Sequence, residues 1–184
     1  LLYHESAFLN QESVLAELDR RLDGALIPIP VTASEVSLDE AVRSYLFNSQ
    51  LVTLPDGSMC LICPSECPET PAVADLLDRL VSRSDNPIEH VKVFDLRQSM
   101  RNGGGPACLR LRIPLDEPGL NSVHPPCLYS PDRYDRLVQW VERWYPDETT
   151  DSDLADPQRL QSVRDALDAL TSILEMPGLY AFQR

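Results

Sequence analysis

Apolar residues recur along the chain with two spacings, which separate candidate helices from candidate strands. Spacings of three and four residues predict helices after Asn10, Ser37, Thr70, Ser130 and Asp156. These residue types cap helix N-termini, proline follows three of them, and the four residues from Ser37 form a capping-box pattern. The positions expected to face a core are Val14, Leu15, Leu18 and Leu22 in the first helix, Leu38, Ala41, Val42, Tyr45 and Leu46 in the second, Val73, Leu76, Leu77, Leu80 and Val81 in the third, Tyr134, Leu137, Val138, Val141 and Trp144 in the fourth, and Leu160, Val163, Leu167, Leu170 and Leu174 in the fifth.

Short apolar stretches predict strands between these helices. The candidate strands lie at residues 1–8, 26–31, 51–54, 58–63, 91–96 and 109–113. A turn at Pro55-Asp56-Gly57 predicts a hairpin, and residues 146–157 predict a loop between the last two helices. Because strands and helices alternate and the strands include a hairpin, we expect an α+β or α/β fold with a mixed sheet.

Charge and composition narrow the class of protein. The 184 residues carry 16 Lys and Arg against 29 Asp and Glu, a net charge of −13, which disfavours nucleic acid as a partner. No apolar stretch approaches the roughly 18 residues that span a bilayer, so we expect a cytoplasmic protein without membrane contact. The chain begins without methionine, so we expect it to start inside a larger polypeptide.

The segment Asn102-Gly103-Gly104-Gly105-Pro106-Ala107-Cys108 carries the most chemistry. Consecutive glycines permit positive φ and close approach to a ligand, and a cysteine after such a turn can expose its sulfur as a nucleophile. Arg97, Arg101 and Arg110 are near enough in sequence to supply positive potential. On spacing alone, a flexible loop followed by a buried structural cysteine remains open.

Several motifs together resemble the N-succinylarginine dihydrolase family over essentially the whole chain. The matching segments are residues 45–51, 56–59, 85–87, 94–112, 154–157 and 180–184, in the family's order. The resemblance implies the pentein fold, an α/β propeller built from strand-strand-helix-strand modules. It also implies hydrolysis of N2-succinyl-L-arginine to N2-succinyl-L-ornithine, two ammonia and carbon dioxide in arginine catabolism.

The same resemblance assigns roles to residues and partners. Cys108 is implied to be the catalytic nucleophile and Asn102 a substrate-binding residue, with no metal, no other cofactor and a homodimeric assembly. The family's catalytic histidine, in a His-Asn-Asp segment, and its catalytic glutamate are expected before the position of Leu1. We therefore expect residues 1–184 to be the C-terminal part of a single domain, inactive alone, and we carry no catalytic role onto His4, His90 or His124.

Alternative interpretations remain for other features. The chain could be a non-catalytic binding or assembly module, or a hydrolase of another guanidino compound. Cys60, Cys63 and Cys67 have a spacing similar to that of metal ligands, but a strand would place the first two on opposite faces. His124 and Cys127 permit a Cys–His catalytic pair, although neighbouring loop residues explain their spacing as well.

Overall fold

The structure is a computed structural model and describes residues 1–101, 103–108, 110, 111 and 113–184. The chain divides into two compact units, Leu1–Arg112 and Ile113–Arg184. All strands of the described residues lie in the first unit, together with helices, which confirms the α+β class. Among the described residues, no helix combines the length and apolar composition that crossing a membrane requires.

The first unit begins with a strand, a helix and a second strand. β1 (Leu2–His4) pairs in parallel with β2 (Ile29–Val31), and α1 (Gln11–Arg21) lies between them in the chain. Parallel neighbours need a crossover connection of this kind. Gly24 has φ +79°, and its N–H donates to the Asp19 carbonyl at 2.9 Å, so the glycine predicted to end this helix closes its C-terminus.

The predicted capping box begins α2 (Leu38–Arg43). The Ser37 hydroxyl accepts from the Glu40 N–H, and the Glu40 carboxylate accepts from the Ser37 N–H. Each side chain thus satisfies a donor that the first helical turn leaves unpaired.

The apolar stripe predicted for α2 is wrong in part. Ala41 and Leu46 are buried, whereas Leu38, Val42 and Tyr45 are exposed. The helix ends at Arg43, and Tyr45 adopts a left-handed conformation with φ +55°. Leu46 therefore enters the core from a 3-10 turn (Leu46–Asn48) and not as a continuation of the helical face.

A three-stranded mixed sheet forms the centre of the first unit. β3 (Gln50–Thr53) and β4 (Met59–Pro64) pair antiparallel, as the predicted hairpin requires, and Gly57 takes φ +89° in the turn. β5 (Ile88–Phe94) pairs in parallel with β4, which makes β4 the central strand. The crossover between them contains α3 (Glu66–Glu69) and α4 (Pro71–Ser82).

The core lies between this sheet, α4 and the end of β2. Its buried members are Val31, Val36, Ala41, Leu46, Leu61, Cys63, Cys67, Val73, Leu76, Leu77, Leu80 and Ile88. Four of the five positions predicted for α4 are among them, but Val81 is 41% exposed and lies at the edge of that face. The 3.6-residue period therefore located the inward face of α4 but not its width.

The strand predicted at residues 109–113 is wrong for the residues that the structure describes. Arg110, Leu111 and Ile113 lie in no strand, and Leu111 is 84% exposed. Leu109 and Arg112 lie outside the described residues. Alternation alone does not form a strand, which also needs a neighbour that accepts its backbone hydrogen bonds. α5 (Arg97–Arg101) precedes this segment.

The second unit is helical. It contains α6 (Glu117–Asn121), α7 (Pro131–Trp144), α8 (Asp151–Leu154) and α9 (Pro157–Ile173). Ser130 and Asp156 cap α7 and α9 through their side chains, as predicted, and α8 interrupts the predicted loop at 146–157. Trp140 of α7 donates its indole N–H to the Ala166 carbonyl of α9 at 2.8 Å, which joins the two long helices.

Candidate active site

The cysteines divide by exposure. Cys60, Cys63 and Cys67 are buried, whereas Cys108 and Cys127 are exposed, and all five are free thiols. A nucleophile must reach its substrate, so burial disfavours the first three and leaves the predicted Cys108 accessible. The alternative that Cys108 is a buried structural residue is wrong.

The glycines before Cys108 serve two different purposes. Gly103 has φ +90°, a conformation that favours glycine, and its N–H donates to the Met100 carbonyl at 2.9 Å as α5 ends. Gly105 is buried and has no space for a side chain, because a Cβ there would lie 2.5 Å from Nδ2 of Asn48. The predicted close approach of this backbone is therefore to another part of the protein.

Asn48 contacts the Cys108 loop, residues 103–108, at three points. Its backbone carbonyl accepts from the Ala107 N–H at 2.9 Å, its carboxamide lies against Gly105, and its Oδ1 is 3.7 Å from the Cys108 sulfur. The Cys108 N–H donates to the Gly105 carbonyl at 2.9 Å, which closes the last turn of the loop. A cysteine exposed at the end of such a supported turn can present its sulfur to a small molecule.

Sequence reasoning did not single out Asn48. The available signal was that residues 45–51 and 94–112 are both among the segments that match the same family. Nothing in the sequence states that these two segments touch, because their contact joins residues 60 positions apart.

Arg97 does not provide the free positive charge that its position suggested. Its guanidinium pairs with Glu69, with Asp95 at 3.3 Å and with Glu66 at 3.5 Å. The hydrogen bond with Glu69 raises the pKa of Arg97. These carboxylates compensate the charge, so Arg97 is better explained as a link between the end of β5 and α3. Arg101 and Arg110 are exposed.

The substrate-binding prediction for Asn102 lies outside the described residues. The role of Asn102 stays a prediction.

Three cysteines are buried, and two of them, Cys63 and Cys67, belong to the core of the first unit. Cys60 and Cys63 both lie in β4, and the Cys67 thiol donates to the Ser44 carbonyl at 3.2 Å. The hydrogen bond with Cys63 and burial raise the pKa of the Cys67 thiol, which keeps it protonated. Among the described residues, no three His, Cys, Asp or Glu side chains are arranged to hold a metal ion.

Two of the three histidines have backbone hydrogen-bond partners. His4 is buried, its Nε2 lies 3.1 Å from the Val36 carbonyl, and its Nδ1 accepts from the Ser6 N–H at 3.2 Å. His124 Nε2 lies 2.8 Å from the Leu174 carbonyl. This backbone contact supports the interpretation of His124 and Cys127 as neighbouring loop residues. His90 is exposed on β5.

Comparison with known proteins gives one consistent result. A family model described as "Succinylarginine dihydrolase" matches residues 1–183. The N-succinylarginine dihydrolase of Pseudomonas savastanoi pv. phaseolicola is 53% identical over 186 residues, which cover 100% of this chain and 41% of that protein. Those of Hahella chejuensis and Shewanella amazonensis are 52% and 47% identical over 184 residues, with the same shares covered. The chain thus spans about two fifths of the length of the curated relatives it matches.

Proposed function

Because the chain belongs to the succinylarginine dihydrolase family, we propose that the protein hydrolyses N2-succinyl-L-arginine in arginine catabolism. The products are N2-succinyl-L-ornithine, two ammonia and carbon dioxide. The names of the relatives support this substrate, and the identity to them extends over the whole of this chain.

The exposed thiol of Cys108 is the single observation that carries the proposal to a residue. In the proposed reaction its thiolate adds to the guanidinium carbon, and ammonia leaves with a proton. Water then attacks the thiouronium carbon, and the sulfur leaves as thiolate, which yields a ureido group. A second round of addition and hydrolysis releases the second ammonia and a carbamate, which loses carbon dioxide. Asn102 is proposed to contact the substrate beside this sulfur.

The proposed fold is the pentein propeller, with residues 1–184 as part of a single domain. The order β3, β4, α4, β5 supports it, since this is a strand-strand-helix-strand module. The β1, α1, β2 segment gives further support, because its parallel crossover repeats that of β4, α4 and β5.

Partners and location follow the same proposal. We propose a cytoplasmic homodimer that binds a small-molecule substrate and uses neither metal nor organic cofactor. The net charge of −13 supports the absence of a nucleic-acid partner, since it repels phosphate.

The test combines labelling with hydrolysis in the full-length protein. A haloacetamidine, which resembles the guanidinium group and reacts with thiols, is expected to modify Cys108 in the folded protein. Cys108→Ser is expected to reduce succinylarginine hydrolysis by more than about 10⁴-fold, as nucleophile removal does elsewhere. The matched control is Cys127→Ser, which removes the other exposed thiol and should preserve hydrolysis. Retained hydrolysis in Cys108→Ser, or equal labelling of all five cysteines, would overturn the assignment.

The isolated chain provides a second test. The proposed reaction needs a group that activates water and protonates ammonia, a contribution of about 10²- to 10⁴-fold. The catalytic histidine and glutamate are proposed to lie outside residues 1–184, so the isolated chain should not hydrolyse succinylarginine. Measurable hydrolysis by this chain would contradict that placement.

A further inference from the structure

Asn48 is a half-buried residue between the core of the first unit and the Cys108 loop. On the core side, the preceding turn is fixed by Leu46, which is fully buried, and by the Ser44 carbonyl, which accepts from Cys67. On the loop side, the same residue contacts Gly105, Ala107 and Cys108. Asn48 thus contacts both the backbone and the sulfur of the loop.

The left-handed conformation of Tyr45 reverses the chain after α2. Tyr45 has φ +55° and ψ +28°, which is sparsely populated for a residue with a side chain. Such conformations persist only where the surrounding structure holds them, and they cluster at functional sites. Here the reversal after α2 brings Asn48 against the loop within three residues.

We propose that Asn48 is a positioning residue for Cys108, which holds the loop through its backbone and presents its carboxamide to the sulfur in both protonation states. This positioning role rests on the proposed function, in which Cys108 is the reacting thiol. The contacts that support it are independent of the substrate.

The chemistry of a carboxamide explains why asparagine suits this position. A thiol can donate to Oδ1, as in the structure, whereas a thiolate can only accept. Rotation of the carboxamide by about 180° exchanges Oδ1 for Nδ2, two groups of nearly equal shape. Nδ2–H then donates to the thiolate, and hydrogen bonds to a charged partner are the stronger kind. An aspartate has the same shape but no donor.

The test measures the pH dependence of Cys108 alkylation by iodoacetamide in the full-length protein, followed by peptide mass spectrometry. Asn48→Asp places a second negative charge beside the sulfur, so the midpoint of the labelling curve should move upward by about 1 pH unit. Asn48→Ala removes the donor without adding charge, and its curve should move upward by less. The expected order of midpoints is Asp, then Ala, then the unchanged protein.

Two controls separate this effect from general ones. Asn10→Asp changes an exposed asparagine before α1 and alters the net charge equally, so its curve for Cys108 should not move. Cys127, labelled in the same samples, should give one curve in all variants. Thermal melts identify any variant that fails to fold, and Asn48→Ala, which keeps the backbone carbonyl, tests the contact if Asn48→Asp does not fold.

The outcomes are distinct for the two proposals. If the Cys108 labelling curve of Asn48→Asp coincides with that of Asn10→Asp, or if Asn48→Ala leaves the curve where it is in the unchanged protein, the positioning role is wrong. If Cys108→Ser retains hydrolysis, the proposed nucleophile is wrong, whatever the labelling curves show. If both proposals hold, the acid limb of kcat/KM for hydrolysis should move upward in Asn48→Asp as the labelling curve does.

Discussion

Two thiols of the first unit contact the same short segment, the 44–48 turn. One contacts it from the core and the other from the surface. Cys67 is fully buried and donates to the backbone carbonyl of Ser44 at 3.2 Å. Cys108 is exposed and lies 3.7 Å from the side-chain oxygen of Asn48. The two residues thus share a residue type and a supporting turn, but differ in access to solvent and in the kind of acceptor.

The difference separates a structural thiol from one suited to react. A backbone carbonyl in a packed core cannot turn away, so the Cys67 contact favours a protonated thiol and one conformation. A side-chain amide at a loop can reorient, so the Cys108 contact is compatible with a change in protonation. Solvent access and the freedom of the acceptor to reorient therefore distinguish these two cysteines. Their residue type and their shared supporting turn do not.

The largest expected difference is in alkylation rate. In the folded protein, iodoacetamide should label Cys108 more than about 10³-fold faster than Cys67, because exposing a core thiol requires an opening that costs about 5 kcal/mol or more. Peptide mapping of timed samples measures both rates. In concentrated guanidinium chloride the rates should converge. Comparable labelling of Cys67 and Cys108 in the folded protein would contradict the contrast.

A matched pair of substitutions should show the next largest effect, on stability. Cys67→Ala removes packed atoms and leaves the Ser44 carbonyl without its donor, so we expect a loss of about 2 to 3 kcal/mol in the free energy of unfolding. Cys108→Ala changes an exposed side chain and should stay within about 0.5 kcal/mol of the unchanged protein. Urea unfolding measures both. Equal losses would show that the 44–48 turn does not divide core from loop.

Substitution at Gly105 should have an intermediate effect. The Cβ of Gly105→Ala would overlap the Asn48 carboxamide, so the carboxamide or the loop must shift, and a loss of about 1 to 2 kcal/mol is expected. Asn48→Ala clears that space. The double variant should therefore recover about 1 kcal/mol relative to the sum of the single effects. Strict additivity in urea unfolding would indicate that these two side-chain positions do not touch.

The smallest effect is expected at the capping box of α2. It precedes the 44–48 turn and includes neither of the two cysteines. Hydrogen bonds from the Ser37 hydroxyl and N–H hold the pKa of Glu40 below its ordinary value of 4.5. A depressed pKa gives stability that is present above pH 4.5 and lost as the pH falls through the folded-state value. Ser37→Ala should lower stability by about 1 kcal/mol at neutral pH.

The measurement for this last prediction is the pH dependence of the melting temperature. Glu40→Gln should remove part of the decline below pH 4.5 that the unchanged protein shows. Neither Ser37→Ala nor Glu40→Gln should change which of Cys67 and Cys108 is alkylated faster. An unchanged decline in Glu40→Gln would show that other carboxylates determine it.

Local signals were sufficient for much of the fold. The capping box at Ser37, the hairpin at Gly57 and the inward face of α4 each depend on residues within a few positions of one another. Sequence patterns record such interactions directly. The resemblance of residues 94–112 to a known family added the identity of Cys108, which spacing alone left open.

Contacts between distant segments were not predictable in the same way. Leu46 enters the core from a 3-10 turn that follows the left-handed Tyr45, and the residues 110 and 111 have no strand neighbour to pair with among the described residues. The neutralised charge of Arg97 depends on carboxylates that include Glu69, 28 positions away. Each outcome is set by tertiary packing, which a linear pattern does not contain.

The fit of Gly105 against Asn48 also constrains how sequences of this kind can diverge. A side chain at position 105 lowers stability while asparagine stands at position 48, whereas a smaller residue at 48 can come first without overlap. One order of the two changes therefore costs more stability than the other. Among relatives, we expect glycine at 105 wherever asparagine stands at 48, and lineages that lost the asparagine are where other residues at 105 should be found.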